Sequence, residues 1–387
     1  MLGRCNPESA NGLDKTVYHL SSKQAAAGHD VRVLSLTEKE ALPIPGVDVR
    51  VYAPLFTAPR FVPGALGDML IDRSPLNLPP RLIRELLDDP PDVVHFHYIQ
   101  VPQAARLSRT LRTRGIPYCV TLNGALVGEA ATRRKWIKKL YRLLAERRYL
   151  DGAAFLHAIS PVDAEGARDA NLTAPIDIIP NGIDAELAGP VPPEDLAVRY
   201  PELRDRRILL FLGRLDPEQK GLDVLLEALA LSDTDIGLVL VGPPFRANQE
   251  ALEAEVRPLG LEDRVVFAGP LFGTEKLGAV CGANGFVHPS RWEAGVPFSV
   301  MEAAACAVPC IVSRAADPDG YLVDGGGALA AEPEPEALAA AIRSFAAMSE
   351  VELQEMGERA RGVVLERFDW KRIAERVVES YEAHCRR

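Results

Sequence analysis

Arg214 and Lys220 are the residues on which chemistry is placed first. They fall in Phe211-Leu-Gly-Arg-Leu-Asp-Pro-Glu-Gln-Lys-Gly221. The apolar run ending at Leu212 reads as a buried strand, and Gly213 lets the backbone turn. Both cations then stand in the loop leading into a helix, at the carboxyl edge of a sheet, where ligands of open α/β folds collect. Two cations there suit a diphosphate. As plain surface charges they would be badly placed, because a helix N-terminus disfavours positive charge. Neither Gly-x4-Gly-Lys-Ser/Thr nor a post-strand Gly-x-Gly-x-x-Gly occurs. Nucleotide triphosphate hydrolysis and dinucleotide oxidoreduction therefore drop out.

A second stretch runs Pro289-Ser-Arg-Trp-Glu-Ala-Gly-Val-Pro-Phe-Ser-Val-Met-Glu302. Glu293 is expected in a loop after a strand, Gly295, Val296 and Pro297 in an exposed backbone turn, and Glu302 early in an apolar helix opened by Phe298. Such a turn offers amides to phosphate or sugar hydroxyls, and a carboxylate can accept a pair of vicinal hydroxyls. Taken singly, Glu302 could serve only the helix dipole and Glu293 could be solvated. Taken with Arg214 and Lys220, the four side chains describe a sugar-nucleotide site.

The elements that hold these residues follow from hydrophobic pattern. Short β-branched runs alternate with longer periodic segments throughout, the pattern of βαβ units in parallel sheets. In the first half, strands are expected near Val31–Leu36, Val93–His97, Tyr118–Thr121, Ala154–Ala158 and Ile176–Ile179. Helices are expected there near Asp14–Ala27, Ala104–Thr113, Arg133–Leu150 and Pro161–Asp169. In the second half, strands near Ile208–Leu212, Gly237–Val241, Val265–Ala268, Gly285–His288 and Cys310–Ser313 alternate with helices from Leu222, Asn248, Thr274 and Phe298. Three helices follow Glu334. The proline- and charge-rich stretch from Ala188 sets the expected domains at 1–190 and 191–368, with 369–387 a helix packing back on the first. The fold class is thus α/β, two Rossmann-like doubly wound domains facing across a cleft. Such a domain opens with a buried strand, and Met1-Leu-Gly-Arg-Cys5 is short and charged for one, so that strand is expected to be truncated or stunted.

Composition narrows the function classes. The 387 residues are 47% hydrophobic and 25% charged, a globular balance, and the net charge of −10 argues against a duplex nucleic-acid binder. Six cysteines without a Cys-x-x-Cys pair indicate neither a disulfide framework nor a zinc ribbon and fit a reducing cytoplasm. No apolar run approaches the ~18–20 residues that span a bilayer, and Asn6, Pro7 and Glu8 are foreign to a signal peptide.

In this order the motifs resemble the retaining glycosyltransferase family 4 of GT-B enzymes, the glycogen-synthase-like group, over nearly the whole chain. The resemblance is carried by Asn11-Gly12 before a helix ending Gly28-His-Asp-Val31, Pro180-Asn-Gly-Ile-Asp184, Gly213-Arg214 with Lys220-Gly221, Val241-Gly242, Phe267-Ala-Gly-Pro-Leu271, Pro289-Ser290 with Glu293 and Glu302-Ala303, and Phe368-Asp-Trp370. It implies transfer of a sugar from a nucleoside-diphosphate sugar, UDP- or GDP-linked, to an acceptor hydroxyl, with retention and without a metal or other cofactor. By the same resemblance Arg214 and Lys220 bind the diphosphate, Glu302 the ribose hydroxyls, and Glu293 stands near the transferred sugar. Gly12 matches a glycine loop at the cleft, and backbone near Leu271 would meet the base. Lys220→Ala is expected to damage catalysis while leaving the fold nearly intact, as for an exposed loop lysine. The alternative is a non-catalytic sugar-nucleotide-binding protein on the same scaffold.

Two departures stand out. The family spacing Glu-x7-Glu is Glu-x8-Glu here, and Thr121-Leu-Asn-Gly124 replaces a frequent Thr-x-His-Gly. Asn123 can bond a sugar hydroxyl but cannot act as a base, which points to altered sugar contacts. His95 and His97, two apart on a strand, face one side without a third metal ligand. His97 is nearer the strand's carboxyl end and is the candidate for the sugar side or, equally, an ordinary strand-end histidine. His157 is read as structural. Arg133–Arg148 holds eight basic residues and one acidic, net +7, which leaves −17 elsewhere. Such a helix can be solvated, lie on an anionic membrane at the inner face, or hold an anionic acceptor.

Overall fold

The structure is a computed structural model that describes residues 12–36, 42–55, 76–127, 146–184, 191–245 and 248–385. Contacts divide the chain into two units, Met1–Pro180 with Trp370–Arg387, and Asn181–Asp369. The junction expected at 190/191 therefore falls earlier. The physical reason is a backbone bond from Ile183 N to Phe368 O (2.6 Å) and a bridge between Ile183 and Asp369, which fasten the chain from Asn181 onward to the second unit.

The first unit runs α1 (Gly12–Ala26), β1 (Arg32–Leu36), β2 (Asp48–Tyr52), α2 (Pro80–Asp88), β3 (Val94–Phe96), α3 (Pro102–Thr113), β4 (Tyr118–Thr121), α4 (Arg147–Leu150), β5 (Phe155–Ala158), α5 (Pro161–Asp169) and β6 (Ile176–Ile178). Strands β3 to β6 form one parallel sheet in sequence order, and β1 pairs with β2 separately. A cavity of about 710 Å³ inside this unit is bordered by Val33 of β1 and by His95 and Phe96 of β3. The opening strand expected of such a domain falls on residues 1–11, outside the described residues. So does the basic helix expected over 133–150, apart from Glu146–Leu150.

The second unit runs α6 (Leu196–Arg199), β7 (Arg207–Leu212), α7 (Pro217–Lys220), α8 (Leu222–Leu231), β8 (Ile236–Val241), α9 (Asn248–Val256), β9 (Val265–Gly269), α10 (Gly273–Cys281), β10 (Gly285–His288), α11 (Phe298–Ala305), β11 (Cys310–Val312), α12 (Tyr321–Asp324), β12 (Ala328–Ala330), α13 (Pro335–Ala347) and α14 (Glu350–Arg367). The last helix, α15 (Trp370–Cys385), returns to the first unit. It buries Trp370, Ile373, Ala374 and Val377, and Trp370 stacks on His19 of α1 at 5.8 Å.

The six strands of the second unit are parallel in the order β12-β11-β10-β7-β8-β9. Ile236–Val241 is buried at every position and β7 at all but Arg207. Continuous apolar runs of this kind are what a parallel sheet needs when helices cover both faces. One core cluster joins Leu210, Phe286 and Met301 on one side, and another joins Phe211, Leu225 and Ile342 on the other. Helices α2, α3, α5, α7 and α13 each carry proline in the first turn, where a fixed φ helps and no N–H is missed. Strand order reverses between β7 and β10, which makes the crevice at their carboxyl ends the topological switch point. The loops after Leu212 and after His288 both open there. Among the described residues no helix is long and apolar enough to cross a membrane.

Candidate active site

Backbone nesting shapes the floor of this crevice. Gly213 N donates to Val241 O (3.0 Å), Leu215 N to Pro243 O (3.0 Å) and Gly242 N to Gly269 O (2.9 Å). A side chain at Gly242, whose φ is +149°, would put its Cβ 1.7 Å from Gly213 O. The segment expected as a loop then closes into α7, capped by Asp216, which accepts from Gln219 N at 3.3 Å, and ended by left-handed Gly221. This turn carries Lys220 inward.

Lys220 is consequently a buried cation, its side chain 11% exposed, and not the open loop lysine expected from the sequence. Its Nζ donates to Oε1 of Glu293, which is equally buried. The same oxygen accepts from Ser290 Oγ at 2.7 Å and lies 3.3 Å from His288 Nε2. A carboxylate has no proton to give, so His288 donates through Nε2–H. Burial depresses the basicity of His288, which keeps the ring neutral, stacked on Phe211 at 5.3 Å with Nδ1 buried and without a partner among the described residues. For Glu293 burial alone would raise the pKa, but Lys220 and His288 outweigh it and hold the carboxyl at about 2.

A pH dependence follows from that depression. The ordinary value is 4.5, so the unfolded chain takes up this proton first as pH falls. The stabilisation is complete above that value and is lost on the way down to about 2. The difference amounts to about 3 kcal/mol. Urea unfolding between pH 6 and pH 2 should show wild type losing roughly that much relative to Glu293→Gln; parallel curves for the two proteins would remove the assignment.

Arg214 is exposed. Its Nη2 donates to Gln219 Oε1 (2.9 Å) and its guanidinium lies 4.7 Å from the Phe245 ring centre, so it stands on the outer side of the crevice while Lys220 stands within. Glu302 is buried on α11 and accepts from Lys276 Nζ of α10 at 2.9 Å. Gly295, expected in an exposed turn, is buried, because Val296 and Phe298, which follow it, pack against the core. Pro297 caps α11 and its carbonyl takes both Val300 N and Met301 N at 3.1 Å. Leu271 is core, followed by Phe272, which is 54% exposed.

In the first unit Gly12 forms the first residue of α1, where its carbonyl accepts from Thr16 Oγ1 at 3.0 Å. Asn123, at φ +49°, gives its side-chain amide to His97 O (2.7 Å), and Gly124 N donates to Asp163 Oδ1 (3.1 Å). Burial lifts the Asp163 carboxyl to about 6 despite the amides it accepts from Ile159 and Gly124. His95 and His97 do share a side, with rings stacked at 4.0 Å. His97 is buried, its Nδ1 has no partner among the described residues, and burial lowers its pKa to about 3.

A directed chain of hydrogen bonds surrounds these rings. His157 Nε2 faces Ile179 O at 2.7 Å, so it must donate and leave Nδ1 as acceptor. Thr121 Oγ1 then donates to His157 Nδ1 (3.0 Å), His95 Nε2 donates to Thr121 (2.6 Å), and Tyr381 of α15 donates to His95 Nδ1 (2.6 Å). Burial lowers the pKa of His95 and His157, which suits neutral rings throughout. Among the described residues no three His, Cys, Asp or Glu side chains come together as a metal site.

Sequence reasoning did not single out His288, Ser290 as a donor, Lys276 or Phe245. His288 ends an apolar strand next to Pro289-Ser290, which was a readable signal. Lys276 reaches Glu302 only through the packing of α10 on α11, which leaves no local trace.

Residues 11–182 match the family model of a glycosyl transferase 4-like domain, and residues 206–347 match that of glycosyl transferases group 1. Glycogen synthase of Mycobacterium tuberculosis is 28% identical over 97% of this chain and 92% of its own length. Among solved structures, sucrose-phosphate synthase from Thermosynechococcus elongatus superposes with a TM-score of 0.76 at 23% identity, covering 99% of this chain and 97% of that one. Anabaena HepE in complex with UDP superposes with a TM-score of 0.74 at 18% identity, covering 99% and 98%.

Proposed function

The chain belongs to the glycosyltransferase family 4 group of GT-B nucleotide-sugar enzymes, and on that footing we propose that it transfers a hexose with retention, in the cytoplasm, to an acceptor hydroxyl of a growing surface polysaccharide or glycoconjugate. The observation that carries this reading is the pairing of a buried cation, Lys220, with an outer one, Arg214, at the switch point between β7 and β10. The donor's diphosphate takes these two positions. Glu302 accepts the ribose hydroxyls, with Lys276 fixing its orientation. The bond between the anomeric carbon and the diphosphate oxygen breaks, the acceptor oxygen bonds to that carbon on the same face, and the hydroxyl proton passes to the departing diphosphate oxygen. Charge growing on the departing diphosphate meets Lys220 and Arg214 already in place, so preorganised electrostatics supply the main rate term and no metal is required.

The test is a thermal-shift and hydrolysis screen against UDP-, GDP-, dTDP- and ADP-sugars with metal chelated throughout. UDP, the ligand of the Anabaena neighbour, heads the series. One nucleotide should raise the melting temperature and be released slowly as its diphosphate. A shift without release, even with acceptors supplied, would make the protein a binder and not a transferase. No shift with any donor would remove the reading.

A further inference from the structure

We propose that Glu293 is a positioning residue for Lys220, acting through its Oε1. The inference rests on the reading of Lys220 as a diphosphate ligand and assigns the carboxylate beside it a different task from the one its motif implies.

Three observations carry it. First, one carboxylate oxygen offers about two lone-pair directions, and Oε1 of Glu293 already faces Lys220 Nζ, Ser290 Oγ and His288 Nε2. That oxygen has no capacity left for a hydroxyl. Second, the loop bearing Glu293 is bolted to the helix bearing Lys220. Arg291 N donates to Gln219 O (2.9 Å), its Nη1 donates to Pro217 O (2.9 Å), and its guanidinium grips Asp223 through 2.9 and 2.7 Å bonds. Glu293 and Lys220 therefore move as one body. Third, the spacing to Glu302 is one residue longer than the family pattern, so the two glutamates cannot both keep that pattern's register. Glu302 sits in a helix and Glu293 in the loop before it, so the loop absorbs the difference.

The consequence for Lys220 is chemical. Its ammonium has three N–H donors. One is spent on Glu293, and the other two remain for phosphate oxygens. Ser290 and His288 hold Glu293 so that it cannot swing away and leave the lysine free to turn.

The experiment is calorimetric binding of the stabilising nucleoside diphosphate and, separately, of its sugar conjugate. The proteins are wild type, Glu293→Gln, Lys220→Ala and the double variant, with melting curves for each. Glu293→Gln should weaken both ligands by the same factor, on the order of tenfold. It should add nothing once Lys220 is alanine, because the effect runs through that lysine. Loss confined to the sugar conjugate, or an undiminished loss in the Lys220→Ala background, would overturn the proposal while leaving the enzyme reading in place. Failure of wild type to bind any nucleoside diphosphate would overturn both. Should Glu293→Gln not fold, Ser290→Ala frees one position on Oε1 without moving charge. It should show the same equal weakening at smaller size, and sugar-only weakening there would equally overturn the proposal.

Discussion

Lys220→Ala is expected to lower turnover by about 10²–10³-fold, the usual cost of removing one preorganised donor from a departing anion. It should also lower stability, contrary to the expectation for an exposed loop lysine. Glu293 would be left buried with its cationic partner gone, and breaking a buried pair costs on the order of 3 kcal/mol. Ser290 and His288 would still bond the carboxylate, so the variant should fold. Steady-state turnover with the donor found in the screen and a thermal melt separate the two effects. Wild-type turnover by this variant would end the phosphate assignment, and an unchanged melting curve would show that the pair carries no stability.

The second large effect is structural. Gly242→Ala places a methyl carbon 1.7 Å from Gly213 O, at a backbone φ of +149° that side chains rarely adopt. No rotamer relieves this, because Cβ has none. The loops after β7 and β8 would have to part, breaking Gly213 N to Val241 O and Leu215 N to Pro243 O on either side of Arg214. A cost of about 4 kcal/mol belongs to the rare class of single substitutions that strain backbone at a special dihedral. Chemical denaturation measures it. A loss under about 1 kcal/mol would show that the loops separate freely, and the crevice floor would then be soft.

Much of the frame was legible because its signals are local. Tyr118–Thr121 and Gly285–His288 are fully buried runs, apolar up to a polar last residue, and lie where the pattern put them, as does the helix start at Phe298. Strand β2 was not read because Asp48 and Arg50 break its apolar pattern, and only Tyr52 is fully buried. Strand β12 is Ala-Leu-Ala, with little β propensity of its own, and exists because β11 offers it a ladder. In the site, residue types were legible and their environments were not. Arg214 is exposed, whereas Lys220 is buried because Gly221 turns α7 toward Pro289, and no composition rule carries that information. Gly295 read as a surface turn because glycine and proline usually mark one, yet its half-buried neighbours Val296 and Phe298 bring it under cover.

The return of α15 to the first unit bears on how the chain is made. Residues 181–369 form a continuous stretch whose two ends are already bonded together through Ile183 and Phe368, so this unit can close as soon as Asp369 leaves the ribosome. The unit begun first must wait longer. Tyr381 is needed to start the chain of bonds through His95, Thr121 and His157, and Trp370 is needed to cover α1. During translation the order of completion is thus inverted: the half of the protein synthesised second is finished first, and the earlier half stays open, with its histidine layer uncovered, until the final helix emerges.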